Sequence, residues 1–231
     1  MRLDPYSYFG EVARIEETGS MVLTETLYEP GMDLPSHSHG SDHLAILLEG
    51  SYLEQSSQGV YLCLPGDAVH YGTDLHHANL FGNRVGRCLN FEFQPGEAPL
   101  PYQKNGHYVP TEVKALLTSV GTKVNAGWLE TSREKIDHFP SFTMSTLAQE
   151  MGVHPAYLAK SYRRAFGLSV GQYATLARVR YGARSLIETD TSIAEIAFDA
   201  GFFDQSHFSN TFQRITGFTP AHLRRVAHIW A

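Results

Sequence analysis

The chain has 231 residues, 42% of them hydrophobic and 18% charged, and a formal net charge of −6. That balance excludes an intrinsically disordered chain. No apolar run approaches the roughly 20 residues that span a bilayer, and the opening MRLDPYSYFGEVARIEETGS has no apolar signal core, so a cytoplasmic protein without membrane contacts is expected. The charge is unevenly spread. Residues 1–122 hold 6 Lys and Arg against 15 Asp and Glu, a net −9, whereas residues 123–231 hold 12 against 9, a net +3. Such asymmetry predicts two domains facing different partners.

The first hundred residues are written in strands. MVLTETLYE, HLAILLEG, GVYLCLPG and RCLNFEFQPG are short and rich in Val, Leu, Tyr and Phe, with turn residues between them. This pattern predicts a β-sandwich or small barrel over residues 1–100. Cys63 and Cys88 lie in apolar strands and are expected as buried thiols rather than a disulfide. Pro95, Gly96, Pro99, Pro101 and Gly106 then interrupt any period. We therefore place a linker over residues 101–124, with a short connecting helix at Thr111–Val120.

Residues 125–231 change to helical spacing. AGWLETSREKIDHF predicts one helix, and STLAQEM a second with Ser145 as its N-cap. An internal repeat follows. LAQEMGVHPAYLAKSYRRAFGLS, from Leu147, aligns with IAFDAGFFDQSHFSNTFQRITGFT, from Ile196. Leu147-Ala148 and Gly152 match Ile196-Ala197 and Gly201 at an offset of 49. After one inserted residue, Leu158, Tyr162 and Gly167 match Phe208, Phe212 and Gly217 at an offset of 50. Between the copies, VGQYATLARVRYGARSLIE predicts one long helix.

Each copy has the form helix, glycine turn, helix. Gly152 and Gly201 stand where a left-handed residue ends the first helix. His154-Pro155 and Asp204 open the second. Leu158, Tyr162 and Phe166 form the inward stripe of the first copy, and Phe208, Phe212 and Ile215 that of the second. Ala156, Ala159, Lys160 and Arg163 are thereby turned outward, as are Gln205, Ser206, Ser209 and Asn210. Gln and Asn suit bidentate contacts to adenine, Lys suits guanine, and small residues permit close approach in the major groove. Two such units on one linking helix are expected to read successive major grooves of double-stranded DNA about 34 Å apart.

The repeat resembles the signature of the AraC/XylS family of bacterial transcription regulators over about residues 125–228. It carries the IA pair, Gly201-Phe202, the F-x-x-x-F of Phe208 and Phe212, the G-x-T-P of Gly217 to Pro220, and Arg224. Asn210 departs from the Arg or Lys of many members. The resemblance implies a sequence-specific regulator acting as a homodimer, with a small-molecule effector, and with RNA polymerase as partner if it activates.

The first half resembles the cupins. Gly31, His37, His39 and Gly50 fall on the spacing of their first motif, with His43 where a glutamate is usual. Gly66 opens the second motif and His77 takes its histidine position, while Gly72, Asp74 and Phe81 depart from the pattern. The resemblance implies a cupin-like β-barrel joined to an all-α double helix-turn-helix, an α+β multidomain chain. On a strand, His37 and His39 share a face. With His43 and His77 they would suit one divalent transition metal: zinc, iron, nickel or copper. Other placements stay open. His70 or His76 could replace His77, His43 could be a half-exposed strand residue, and the His-x-His pair could line an effector pocket without metal. No catalytic residue is expected. The alternative is a metal-dependent cupin oxygenase or isomerase with an accessory helical domain.

Overall fold

The computed structural model describes residues 1–18, 21–93, 106–108, 127–138, 142–166 and 168–230. The expected helix at Thr111–Val120, most of the 101–124 linker and Gly167 lie outside the described residues, as does the side chain of Phe166. The chain divides into two compact units. One comprises Met1–Thr122 with Phe212–Ala231, the other Lys123–Thr211.

Eleven strands are described in the first unit: β1 (Arg2–Leu3), β2 (Glu11–Thr18), β3 (Met21–Tyr28), β4 (Asp33–His39), β5 (His43–Glu49), β6 (Tyr52–Ser56), β7 (Gly59–Cys63), β8 (Ala68–Tyr71), β9 (His77–Phe81), β10 (Gly86–Phe93) and β11 (Gly106–Tyr108). They form two sheets, ordered β1-β4-β9-β6-β7 and β11-β8-β5-β10-β3-β2. Both sheets feed one core. Leu34, Tyr52, Cys63 and Phe81 come from the first, and Tyr28, Leu47, Tyr71 and Cys88 from the second. The expected barrel is thus a pair of packed sheets that do not close among the described residues, because each keeps its own edge strands. One further detail differs from expectation, and the cysteines agree with it. Gly106–Tyr108, inside the stretch assigned to the linker, pairs with β8. The thiols Cys63 and Cys88 are both free and buried, and burial pushes that of Cys88 up to about 12.

The helices are α1 (Gly127–His138), α2 (Met144–Glu150), α3 (Pro155–Phe166), α4 (Val170–Glu188), α5 (Ile193–Asp199), α6 (Gln205–Thr216) and α7 (Pro220–Trp230). The N-cap of α2 is Thr143 rather than Ser145. Its hydroxyl accepts from the Thr146 amide at 3.1 Å, and the Thr146 hydroxyl accepts from the Thr143 amide, a reciprocal arrangement open only to residues three apart. Ser169 with Gln172 and Ser192 with Glu195 repeat the device at α4 and α5.

Helix α4 is shared by both helical hairpins. Val170, Tyr173, Ala174 and Ala177 pack with Leu147, Ala148, Leu158 and Tyr162 of the first. Gly182, farther along, receives the ring of Phe208, and a Cβ there would lie 2.6 Å from Phe208 Cε2. A mid-helix glycine costs up to about 1 kcal/mol against alanine; here it makes the notch that seats the second hairpin. Among the described residues, no helix is long and apolar enough to cross a membrane.

Candidate nucleic-acid interface and metal centre

The two hairpins are built alike down to single hydrogen bonds. Gly152 has φ +67° and Gly201 φ +76°, the left-handed conformation that glycine adopts without penalty. The Gly152 amide donates to Gln149 O at 3.1 Å and the Val153 amide to Ala148 O at 3.0 Å. In the second copy the Gly201 amide donates to Phe198 O and the Phe202 amide to Ala197 O, both at 2.9 Å. Each pair of bonds closes its helix in a Schellman motif. The next helices each open on a side-chain cap, reaching two residues on in the first copy and three in the second. His154 Nδ1 accepts from the Ala156 amide at 3.2 Å, and Asp204 Oδ1 from the His207 amide at 2.7 Å. Phe203 is the residue inserted between the matched turn and cap of the second copy.

Leu158 and Tyr162 on α3, and Phe208 and Phe212 on α6, are fully buried, so the opposite faces are fixed outward. Ala156, Lys160 and Arg163 are exposed and Ala159 half-buried; Gln205, Ser206 and Asn210 are exposed and Ser209 half-buried. Tyr157, 56% exposed, belongs to the same surface and was missed, because an inward aromatic stripe dominates the helical period there.

The imidazoles gather in the first unit. β4 carries His37 and His39, and β9 begins with His77, whose Cα pairs with that of His37. Ring centroids lie 4.2 Å apart for His37–His77, 5.2 Å for His37–His39 and 5.4 Å for His39–His77. All three are buried, and one ring nitrogen from each lies within 4.8 Å of the others. His37 Nδ1 is 2.9 Å from Pro35 O and His77 Nδ1 is 3.2 Å from Leu75 O. Those carbonyls place the ring proton on Nδ1 and leave Nε2 as the lone-pair donor, the arrangement usual in metal-binding histidines. Burial depresses the pKa of His37, takes His39 down to about 4 and His77 to about 2, with neighbouring imidazoles adding to the effect. The rings are therefore neutral near pH 7.

His43 begins β5 in the other sheet, and the close three-histidine group does not include it. Its ring centroid is 4.4 Å from that of His39, and it stacks on Tyr71 at 4.8 Å. His76 is exposed, and His70 lies on β8 facing Leu44 across the sheet. The nearby buried carboxylate, Glu92, accepts from the Tyr8 hydroxyl, the Tyr6 amide and the Ser41 hydroxyl, bonds across 51 to 86 residues that spacing did not reveal. The cavity bounded by Tyr8, Phe9, His37, His39, His43 and His77 measures about 30 Å³. That is room for one or two water-sized groups. The donors fit a neutral three-imidazole metal site.

A sheet-rich region joined to tandem helix-turn-helix units defines the class of DNA-binding regulators. A helix-turn-helix domain family matches residues 147–226. The chain is 34% identical over 89 residues to an uncharacterized transcriptional regulatory protein, YesN, of Bacillus subtilis, a match covering 37% of this chain and 24% of that one. It is 30% identical over 87 residues to the melibiose operon regulatory protein of Escherichia coli K12, covering 38% and 29%. To the probable transcription factor PqrA of Proteus vulgaris it is 31% identical over 97 residues, covering 42% of this chain and 77% of that one. The chain belongs to the AraC/XylS family of transcription regulators. It spans only about a quarter of the length of the Bacillus and Escherichia relatives.

Proposed function

We propose that the protein is a cytoplasmic, sequence-specific regulator of transcription, with α3 and α6 each entering a major groove of double-stranded DNA. The observation that carries this is the pair of hairpins on one helix, their first helices closed by the same two hydrogen bonds, each with polar or cationic side chains fixed outward. The sheet-rich half acts as the sensor and homodimerisation region, and an activating form would engage RNA polymerase. It catalyses no reaction; the three relatives above all bear the names of regulators or transcription factors. DNA selection with the full chain is the test: a preferred duplex, bound more weakly as salt rises, is expected. Recovery of no preferred sequence overturns the reading.

His37, His39 and His77 would hold one zinc, iron, nickel or copper ion, with His43 beside them. Such an ion would supply a fixed positive charge in an otherwise neutral pocket. The 30 Å³ cavity favours an ion or a ligand of a few atoms over a bulky organic effector. Purified protein should carry near one equivalent of metal by elemental analysis, and the His37→Ala, His39→Ala double variant should carry none. The same variant should alter the metal response of operator binding while keeping the selected sequence. Wild-type protein that stays metal-free after exposure to all four ions would refute the metal site.

A further inference from the structure

We infer that Phe203 reads DNA, packing its ring against the 5-methyl group of a thymine in the major groove beneath the second hairpin; this rests on the DNA-binding reading above. Phe203 is 91% exposed, more than any other large apolar side chain described. A single exposed aromatic needs no explanation in general, but this one is distinguished by its place and its support. It is the residue that the second turn has and the first lacks.

The neighbours hold its backbone firmly. Phe202 is 5% exposed, with its ring centroid 5.2 Å from that of Phe208. On the other side Asp204 is tied down as the cap of α6. The inserted residue therefore projects from an anchored position immediately before Gln205 and Ser206. The first residues of a recognition helix are those that meet base edges. In the major groove the thymine methyl is the apolar feature a phenyl ring can recognise. The first hairpin, with no residue at this point and His154 closing directly onto α3, has no equivalent contact to make.

The test uses the full chain and the duplex it selects, with each dT replaced in turn by deoxyuridine, which differs only by the missing methyl. Wild-type binding should fall about four-fold at one position in the second half-site, the effect of one methyl group leaving apolar contact. Phe203→Ala should bind the parent duplex less tightly and be indifferent to that replacement. Phe203→Leu should restore the sensitivity. Because the side chain is exposed, its removal should leave the thermal melt unchanged. Equal deoxyuridine penalties in wild type and Phe203→Ala, or none in either, would overturn the inference and leave the ring as a surface for a protein partner. Selection of no sequence would overturn the DNA-binding reading itself.

Discussion

The two hairpins share a skeleton and differ in what they present. The outward surface of α3 carries Lys160, Arg163 and Arg164 beside the small Ala156 and Ala159, whereas α6 opens with Gln205, Ser206, Ser209 and Asn210, its one cation, Arg214, coming near the end. Cations neutralise phosphates whatever the sequence, and carboxamides discriminate between base edges. The first hairpin is therefore suited to contribute more affinity and the second more discrimination, although their first helices end in the same pair of hydrogen bonds. A duplicated fold fixes where side chains stand; only the side chains decide what is recognised.

The largest disturbance to this division should come from the core of one copy. Phe208→Ala removes a fully buried ring and should cost about 3–5 kcal/mol, measured as a lower urea midpoint. The selected operator should then shrink to the first half-site, and retention of both half-sites would contradict two separable readers. Gln205→Ala should lower discrimination at one base pair by about 1–3 kcal/mol in competition binding, with little change on unrelated DNA. Gly152→Ala meets no atom within 4 Å, so its cost is conformational, about 1–2 kcal/mol of stability. A thermal melt equal to wild type would show that the left-handed turn is dispensable. The smallest effect sharpens the other half of the comparison. Arg163→Ala should weaken binding to every duplex similarly and reduce the salt slope by about one; a changed sequence preference would make Arg163 a base reader.

The helical half was largely legible because its signals are local. Val170–Glu188 was bounded in advance by its apolar period, and the two glycines marked their own left-handed turns. The α2 cap was misplaced because Thr143 and Ser145 are both capping residues, and only Thr143 has a hydroxyl partner three residues on. The sheets were less legible. β4 holds Pro35, Ser36 and Ser38 rather than alternating apolar residues, and β8 has only four residues, too short for a period to declare itself. His37, His39 and His77 were found from motif spacing. That His43 starts a strand in the opposite sheet depends on long-range pairing, as does the Glu92–Tyr8 contact, and neither leaves a trace in spacing.

The notch at Gly182 has a consequence for the operator. Because α4 contributes to the first hairpin at one end and seats Phe208 at the other, it is a rod of about 28 Å with a reader on each side. Such a rod sets a fixed helical phase for the DNA. Adding one base pair between half-sites turns the second by about 34° around the duplex axis, out of phase with the two readers. Operators should therefore vary in base sequence more freely than in the spacing between half-sites.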